Sequence, residues 1–124
     1  MHRLVLSSAA RIDLATIFDH SAETFGVKAR SRYEALVEVA LGELRADPTC
    51  VGSVPRPELG PAIRAYHLRN CRTRGKAIGA PVKRPRHLVI YKLEDTHVLV
   101  VRVLHDAMEL TRHLPPSDLG EPRV

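Results

Sequence analysis

The sequence predicts a single α+β domain, in which a small, antiparallel-rich twisted sheet carries a hairpin of two helices on one face. Apolar residues recur at helical spacing up to residue 46, and after residue 61 the period changes to the alternation and continuous apolar runs that are typical of strands. A length of 124 residues suits one core. We assign residues 1–114 to the domain and residues 115–124 to a C-terminal tail, with the element order β-α-α-β-β-β-α.

The N-terminal part of the chain predicts a short strand and two helices. Arg3–Leu6 is a short apolar strand, and the two serines after it have hydroxyls that can accept the free amides of a helix start. The first helix then continues to Gly26, where the apolar pattern stops. The second runs over Lys28–Ala46 and ends before Pro48. The link between them is so short that the helices must double back as a hairpin.

The second half of the chain predicts a loop, three strands and a short helix. The stretch DPTCVGSVPRPELGP contains four prolines and two glycines, which favours a loop that crosses the domain. Strands follow at Ala62–Arg69, His87–Leu93 and His97–His105. The last two are joined by EDT as an antiparallel hairpin, and the last is apolar on both faces, as a central strand is. MELTRHL then predicts about two turns of helix before Pro115.

Cysteine, histidine and N-terminal patterns exclude several classes of protein. Cys50 and Cys71 belong to no metal-ligand spacing, so we expect free thiols in a reducing compartment. The histidine spacings match no closed metal site, and no metal or other cofactor is predicted. The N-terminus lacks the apolar core of a signal peptide, and no stretch reaches transmembrane length. We therefore predict a cytoplasmic protein with no membrane partner.

Positive charge is concentrated in one part of the chain. From Pro61 to Lys92 nine residues are Lys or Arg and none is Asp or Glu. Since the whole chain has 19 basic and 14 acidic residues, the remainder holds ten basic and fourteen acidic ones. This window is either a solvated link between strands, a surface for an acidic partner, or a site for nucleic acid.

The composition of the window argues against the nucleic-acid alternative. Tyr66 and Tyr91 are its only aromatic residues that could stack on bases, and no predicted recognition helix carries the charge. Independent sequence-specific binding to nucleic acid is therefore not expected. The residues assigned to a basic, target-facing surface are Arg64, Arg69, Arg72, Arg74, Lys83, Arg84, Arg86 and Arg102.

Five stretches carry a resemblance that spans nearly the whole chain. AARIDLATIFDHSAETFG and YEAL lie in the two predicted helices, YHLRN and RPRHLVIYKL lie in the middle strands, and RVLHDAMELTRHL covers the last strand and the closing helix. In this order they resemble the toxins of the RelE/ParE superfamily of bacterial type II toxin–antitoxin systems. The ParE branch, also described as plasmid stabilisation proteins, is the more similar one.

This resemblance implies a toxin that a ParD-like antitoxin holds inactive. ParE-type members bind DNA gyrase and stabilise its cleaved DNA complex, whereas RelE-type members cleave messenger RNA in the ribosomal A site. A remnant that binds antitoxin without being toxic is a further alternative. The two branches must be separated by their residues, because a fold does not set a function.

The residues after the last strand favour the binding mechanism over RNA cleavage. An RNA-cleaving member needs a general base and cations at the scissile phosphate, usually with an Arg and a Tyr after the last strand. Here Asp106 and Glu109 follow RVLH, and no tyrosine lies beyond Tyr91. We therefore predict no catalytic residues. A ribosome-dependent endoribonuclease stays open as the alternative because three basic residues remain, namely Arg64, Arg86 and Arg102.

Three apolar residues outside the main stripes predict a docking groove. Ile12 and Val39 lie off the apolar faces of their helices, and Leu59 lies in the crossing loop. Together they are candidates for an exposed groove that accepts an amphipathic segment of the antitoxin. The alternative is that they widen the buried faces of the helices.

Overall fold

The structure is a computed structural model that describes residues 2–72, 82 and 84–107. Two helices precede most of a five-stranded sheet. The strands are β1 (Arg3–Leu6), β2 (Ser53–Pro55), β3 (Ile63–His67), β4 (His87–Glu94) and β5 (His97–His105). The helices are α1 (Ser8–Phe25) and α2 (Val27–Ala46), with short 3-10 helices at Pro57–Leu59 and Leu68–Cys71.

The helical hairpin forms where the sequence predicts it. Ser7 caps α1, because its Oγ accepts a hydrogen bond from the backbone N–H of Ala10 at 3.0 Å and donates one to the carbonyl of Val101 at 2.7 Å. Gly26 alone connects α1 to α2 and has a φ of 94°, which a residue with a Cβ rarely adopts. The cap therefore attaches the start of α1 to β5, and the glycine reverses the chain direction.

The sheet has the order β1-β5-β4-β3-β2. β1 pairs with β5 in parallel and the other neighbouring pairs are antiparallel, so the predicted α+β class with an antiparallel-rich sheet is confirmed. β2 corrects the expectation of an uninterrupted loop between residues 47 and 61. Its three residues pair with β3 at the edge of the sheet, where Pro55 is tolerated in spite of its missing N–H. The predicted closing helix and the tail, residues 108–124, lie outside the described residues.

Apolar side chains are buried on both faces of the sheet. On the helix face Leu14 of α1 and Leu44 of α2 belong to one cluster with residues of β3, β4 and β5, among them Tyr66, Val89, Tyr91 and Val100. On the opposite face a smaller cluster contains Leu59, Ile63, Ala65, Ile90, Val101 and Leu104. β5 supplies buried residues to both clusters, as its doubly apolar sequence predicts.

A β-bulge interrupts the pairing of β4 with β5. Tyr91 is paired with Val100 and Ile90 with Arg102, so Val101 has no opposite residue. Beyond the bulge, the Asp13 carboxylate on α1 accepts hydrogen bonds from Arg102 Nε at 2.7 Å, from Arg102 Nη2 at 2.9 Å and from the backbone N–H of Val103 at 2.9 Å. The ion pair therefore fixes α1 against the C-terminal half of β5.

In the described part of the chain, neither helix combines the length and the apolar composition that a bilayer-spanning helix needs.

Candidate functional site

A cavity of about 740 Å³ lies between the helical hairpin and one end of the sheet. Its apolar wall comes mainly from Ile17, Phe25 and Val82, and its polar lining includes three arginines and three histidines. The lining residues come from α1, α2, the segment before β4, and the paired ends of β4 and β5. The cavity therefore exists only once the helices have packed on the sheet.

A tyrosine and two histidines form part of the cavity wall. The Tyr33 hydroxyl accepts a hydrogen bond from the backbone N–H of Arg86 at 3.3 Å and shares another hydrogen bond with His87 Nδ1 at 2.7 Å. The His87 ring meets Tyr33 and His105 edge-on, at centroid distances of 5.6 and 5.3 Å. His87 and His105 are also cross-strand partners. The Tyr33 hydroxyl therefore joins α2 to the segment before β4 and to the first residue of β4.

His67 is hydrogen-bonded to Asp106, the acidic residue that follows β5. His67 Nδ1 accepts from the backbone N–H of Arg69 at 3.1 Å, so the ring proton lies on Nε2, which faces Asp106 Oδ2 at 2.9 Å. The other oxygen of Asp106 accepts from Arg86 Nε at 3.2 Å. The Asp106 carboxylate is therefore occupied by two partners inside the chain.

The groups in this region have pKa values displaced away from neutrality. Burial, followed by the neighbouring His105, lowers the pKa of His87 to about 4. Burial raises the pKa of Tyr33 to about 12. The hydrogen bond from His67 lowers the pKa of Asp106. A proton-transfer catalyst works best with a pKa near the working pH, so Tyr33 and His87 are poorly suited to that task.

Arg64 and Arg102, two of the three arginines that the nuclease alternative requires, form hydrogen bonds to other side chains of the domain. Arg102 is held by Asp13. Arg64 Nε donates to Ser53 Oγ at 2.7 Å, and that hydroxyl also contacts the hydroxyl of Tyr91. Arg102 and Arg64 are half-buried, so these bonds keep both guanidinium groups largely within the domain.

The remaining basic residues divide between the cavity and the surface. Arg84 and Arg86 line the cavity and are exposed. Arg72 Nε donates to the carbonyl of Val82 at 3.1 Å, and the exposed Arg69 begins the link toward β4. Arg74 and Lys83 lie outside the described residues. The predicted basic surface is thus several separate locations.

Comparison with known proteins identifies the family. The family profile described as "ParE toxin of type II toxin-antitoxin system, parDE" matches residues 4–110. This chain belongs to the ParE toxin family. Among solved structures, the chromosomal ParDE TA system from P. aeruginosa is similar at 15% identity with a TM-score of 0.61, over 85% of this chain and 96% of that one. At that identity the likeness shows the fold alone. A search of curated proteins finds no match.

The structure does not bring the three predicted groove residues of this ParE-family chain together. Ile12 is 66% exposed on α1, whereas Val39 packs against the helix-face core. Leu59 is 2% exposed and lies in the cluster on the opposite face of the sheet. The sheet therefore separates Leu59 from Val39. The sequence could not show this separation, because a proline-rich loop gives no signal of the face on which it packs.

The cavity itself was not apparent from the sequence. Arg32 and His20 line it, but in the sequence they occupy polar positions of two amphipathic helices. Tyr33 also lines it, but its spacing places it in an apolar stripe. The packing angle of the hairpin on the sheet decides that they share a cavity. Among the described residues no three His, Cys, Asp or Glu side chains come together as a metal site, and His113 lies outside that set.

Proposed function

We propose that this ParE-family toxin acts in the cytoplasm by binding DNA gyrase, and that a ParD-like antitoxin neutralises it. The observation that carries the proposal is the family match over residues 4–110, which includes both helices, all five strands and the start of the region after β5. Binding gyrase is the mode of action that the resemblance to the ParE branch implies.

The state of the basic side chains supports binding over catalysis. A nuclease of the RelE type would need unoccupied cations on the sheet, around the scissile phosphate. In this chain Arg102 is ion-paired with Asp13 and Arg86 with Asp106. Arg64 donates a hydrogen bond to the Ser53 hydroxyl. Recruiting these groups for RNA cleavage would require breaking existing bonds, and Asp106 would bring negative charge toward the substrate.

The outer surface of the helical hairpin supports an apolar protein partner. Ile12, Phe25 and Val27 are 66%, 72% and 74% exposed, so α1 and the turn into α2 present large apolar side chains to solvent. Such residues are typical of a surface that an amphipathic segment covers. We assign the antitoxin to the part of this surface around Ile12 and Val27, and the target to the exposed cation Arg69.

A supercoiling assay with purified gyrase and relaxed plasmid tests the proposal. We expect the chain to inhibit supercoiling, and we expect preincubation with the antitoxin encoded beside it to restore gyrase activity. Arg69→Glu should weaken inhibition, while Arg11→Glu, an exposed arginine on α1, serves as the matched control. The proposal is contradicted if micromolar concentrations of the protein leave supercoiling unimpaired and ribosome-bound mRNA is cut at defined codon positions. That result would establish the endoribonuclease alternative.

A further inference from the structure

The cavity between the helical hairpin and the sheet end has the features of a ligand site that gyrase binding does not use. Its volume of about 740 Å³ lies within the range of small-molecule sites, roughly 300–1,000 Å³. It combines an apolar wall with convergent polar groups, which is the usual composition of such sites.

The polar lining is positively charged. Arg32, Arg84 and Arg86 line the cavity, and no Asp or Glu is among its lining residues in the described part of the chain. Arg86 contacts Asp106, which offsets one charge. Arg32 and Arg84 form no ion pair with another described residue, so the described part of the cavity has two guanidinium groups without a carboxylate partner. His87 adds no charge at neutral pH, because burial lowers its pKa to about 4.

The magnitude of this charge selects among anions. A phosphomonoester carries about −1.5 to −2 at pH 7 and therefore matches two uncompensated guanidinium groups. A carboxylate or a phosphodiester carries about −1 and would leave one of them unmatched. Guanidinium groups also bind phosphate oxygens through two parallel hydrogen bonds, which a lysine ammonium does not provide.

The apolar wall indicates what the phosphate is attached to. Ile17, Phe25 and Val82 would stay in contact with water if inorganic phosphate alone were bound. Phe25 is 72% exposed, so its side chain is accessible for stacking against a flat aromatic body. A ligand that fills the site therefore joins a phosphomonoester to an aromatic ring system.

We propose that this cavity binds a nucleoside 5′-monophosphate, with the phosphate at Arg32 and Arg84 and the base against Phe25. Two sources share that chemistry, namely a free nucleotide and the 5′-phosphorylated end of a nucleic-acid strand. A strand end would be recognised by its terminal phosphate and by one face of its first base, and neither contact is sequence-specific.

Calorimetric titration of the purified chain with AMP tests the proposal, with adenosine and inorganic phosphate as partial ligands. We expect AMP to bind with a dissociation constant below 1 mM, and each partial ligand to bind at least tenfold more weakly. Arg32→Gln and Arg84→Gln should each weaken AMP binding by roughly tenfold, because each removes a charge-assisted contact. Arg11→Gln, outside the cavity, is the matched control and should leave AMP binding unchanged. Thermal unfolding confirms that each variant is folded.

Short single strands with a 5′-phosphate or a 5′-hydroxyl distinguish the two sources. Tighter binding of the 5′-phosphorylated strand than of AMP assigns the site to a strand end, and equal or weaker binding assigns it to the free nucleotide. The proposal is overturned if AMP does not bind at 1 mM, if adenosine binds as well as AMP, or if Arg84→Gln has no effect. Arg84-dependent binding of a peptide of alternating Glu and Leu, without AMP binding, also overturns it. None of these results depends on gyrase inhibition, so the two proposals can fail separately.

Discussion

Loss of one partner of the ion pair between Arg102 and Asp13 should strongly destabilise this domain. Both side chains are mostly buried, at 20% and 13% exposed, and the carboxylate accepts two bonds from Arg102 and one from the backbone of Val103. Removing one partner from a fully buried pair costs about 3–5 kcal/mol, because the other charge stays buried without compensation. Residual exposure reduces this, so Arg102→Ala should lower the free energy of unfolding by about 2–3 kcal/mol.

Urea unfolding followed by circular dichroism measures this loss. For a domain of this length, 2–3 kcal/mol corresponds to a fall in Tm of roughly 10 °C. In a double-mutant cycle with Asp13→Ala, the double variant should be less destabilised than the sum of the single variants by about 1–2 kcal/mol. Arg11→Ala, an exposed arginine on the same helix as Asp13, should change stability by less than about 0.5 kcal/mol. Normal stability of Arg102→Ala with lost gyrase inhibition would refute this reasoning and assign Arg102 to the target surface.

Three further predictions concern stability. The pKa of His87 is lowered to about 4 from an ordinary value near 6.5, so the unfolded chain binds a proton at this residue more readily than the folded chain does. Stability should therefore fall as the pH drops from about 6.5 toward 4. After discounting for partial exposure we expect a loss of about 1 kcal/mol, which chemical denaturation at pH 7 and pH 5 should detect and His87→Gln should reduce. Gly52→Ala should cost about 2 kcal/mol, because φ is +100° and the new Cβ would lie 2.6 Å from Cγ of Asn70, whereas Gly42→Ala in the open interior of α2 should raise stability by about 0.5–1 kcal/mol. Unchanged Tm for Gly52→Ala would contradict that account. Tyr33→Phe should cost about 1–2 kcal/mol in urea unfolding by removing the hydroxyl bonded to His87, and an unaffected midpoint would show that this bond adds nothing.

Local signals predicted most of the fold. The strand Arg3–Leu6 and the strand His97–His105 have the predicted bounds, and the second helix begins one residue earlier than predicted. These elements are specified by apolar periodicity and by the cap at Ser7. β2 was missed because three residues containing Pro55 carry too little pattern, and pairing with β3 alone makes them a strand.

The candidate site was less accessible to sequence analysis. The acid after β5 was recognised as unfavourable for RNA cleavage, but its bonds to His67 and Arg86 depend on strand pairing that brings residues 39 and 20 positions apart into contact. The cavity likewise gathers residues from Ile17 to His105. Such contacts are set by packing between elements, and periodicity within one element does not encode them.

The central claim, that this toxin acts by binding, is tested most directly by the stoichiometry of inhibition. Titrating the chain against a fixed concentration of active gyrase in the supercoiling assay should give inhibition that saturates only when the chain equals or exceeds the enzyme, and that does not deepen with longer preincubation. The claim is contradicted if far less than one molecule of the toxin per gyrase inactivates the enzyme completely and the inactivation progresses with time. Each toxin molecule would then act repeatedly, as a catalyst does.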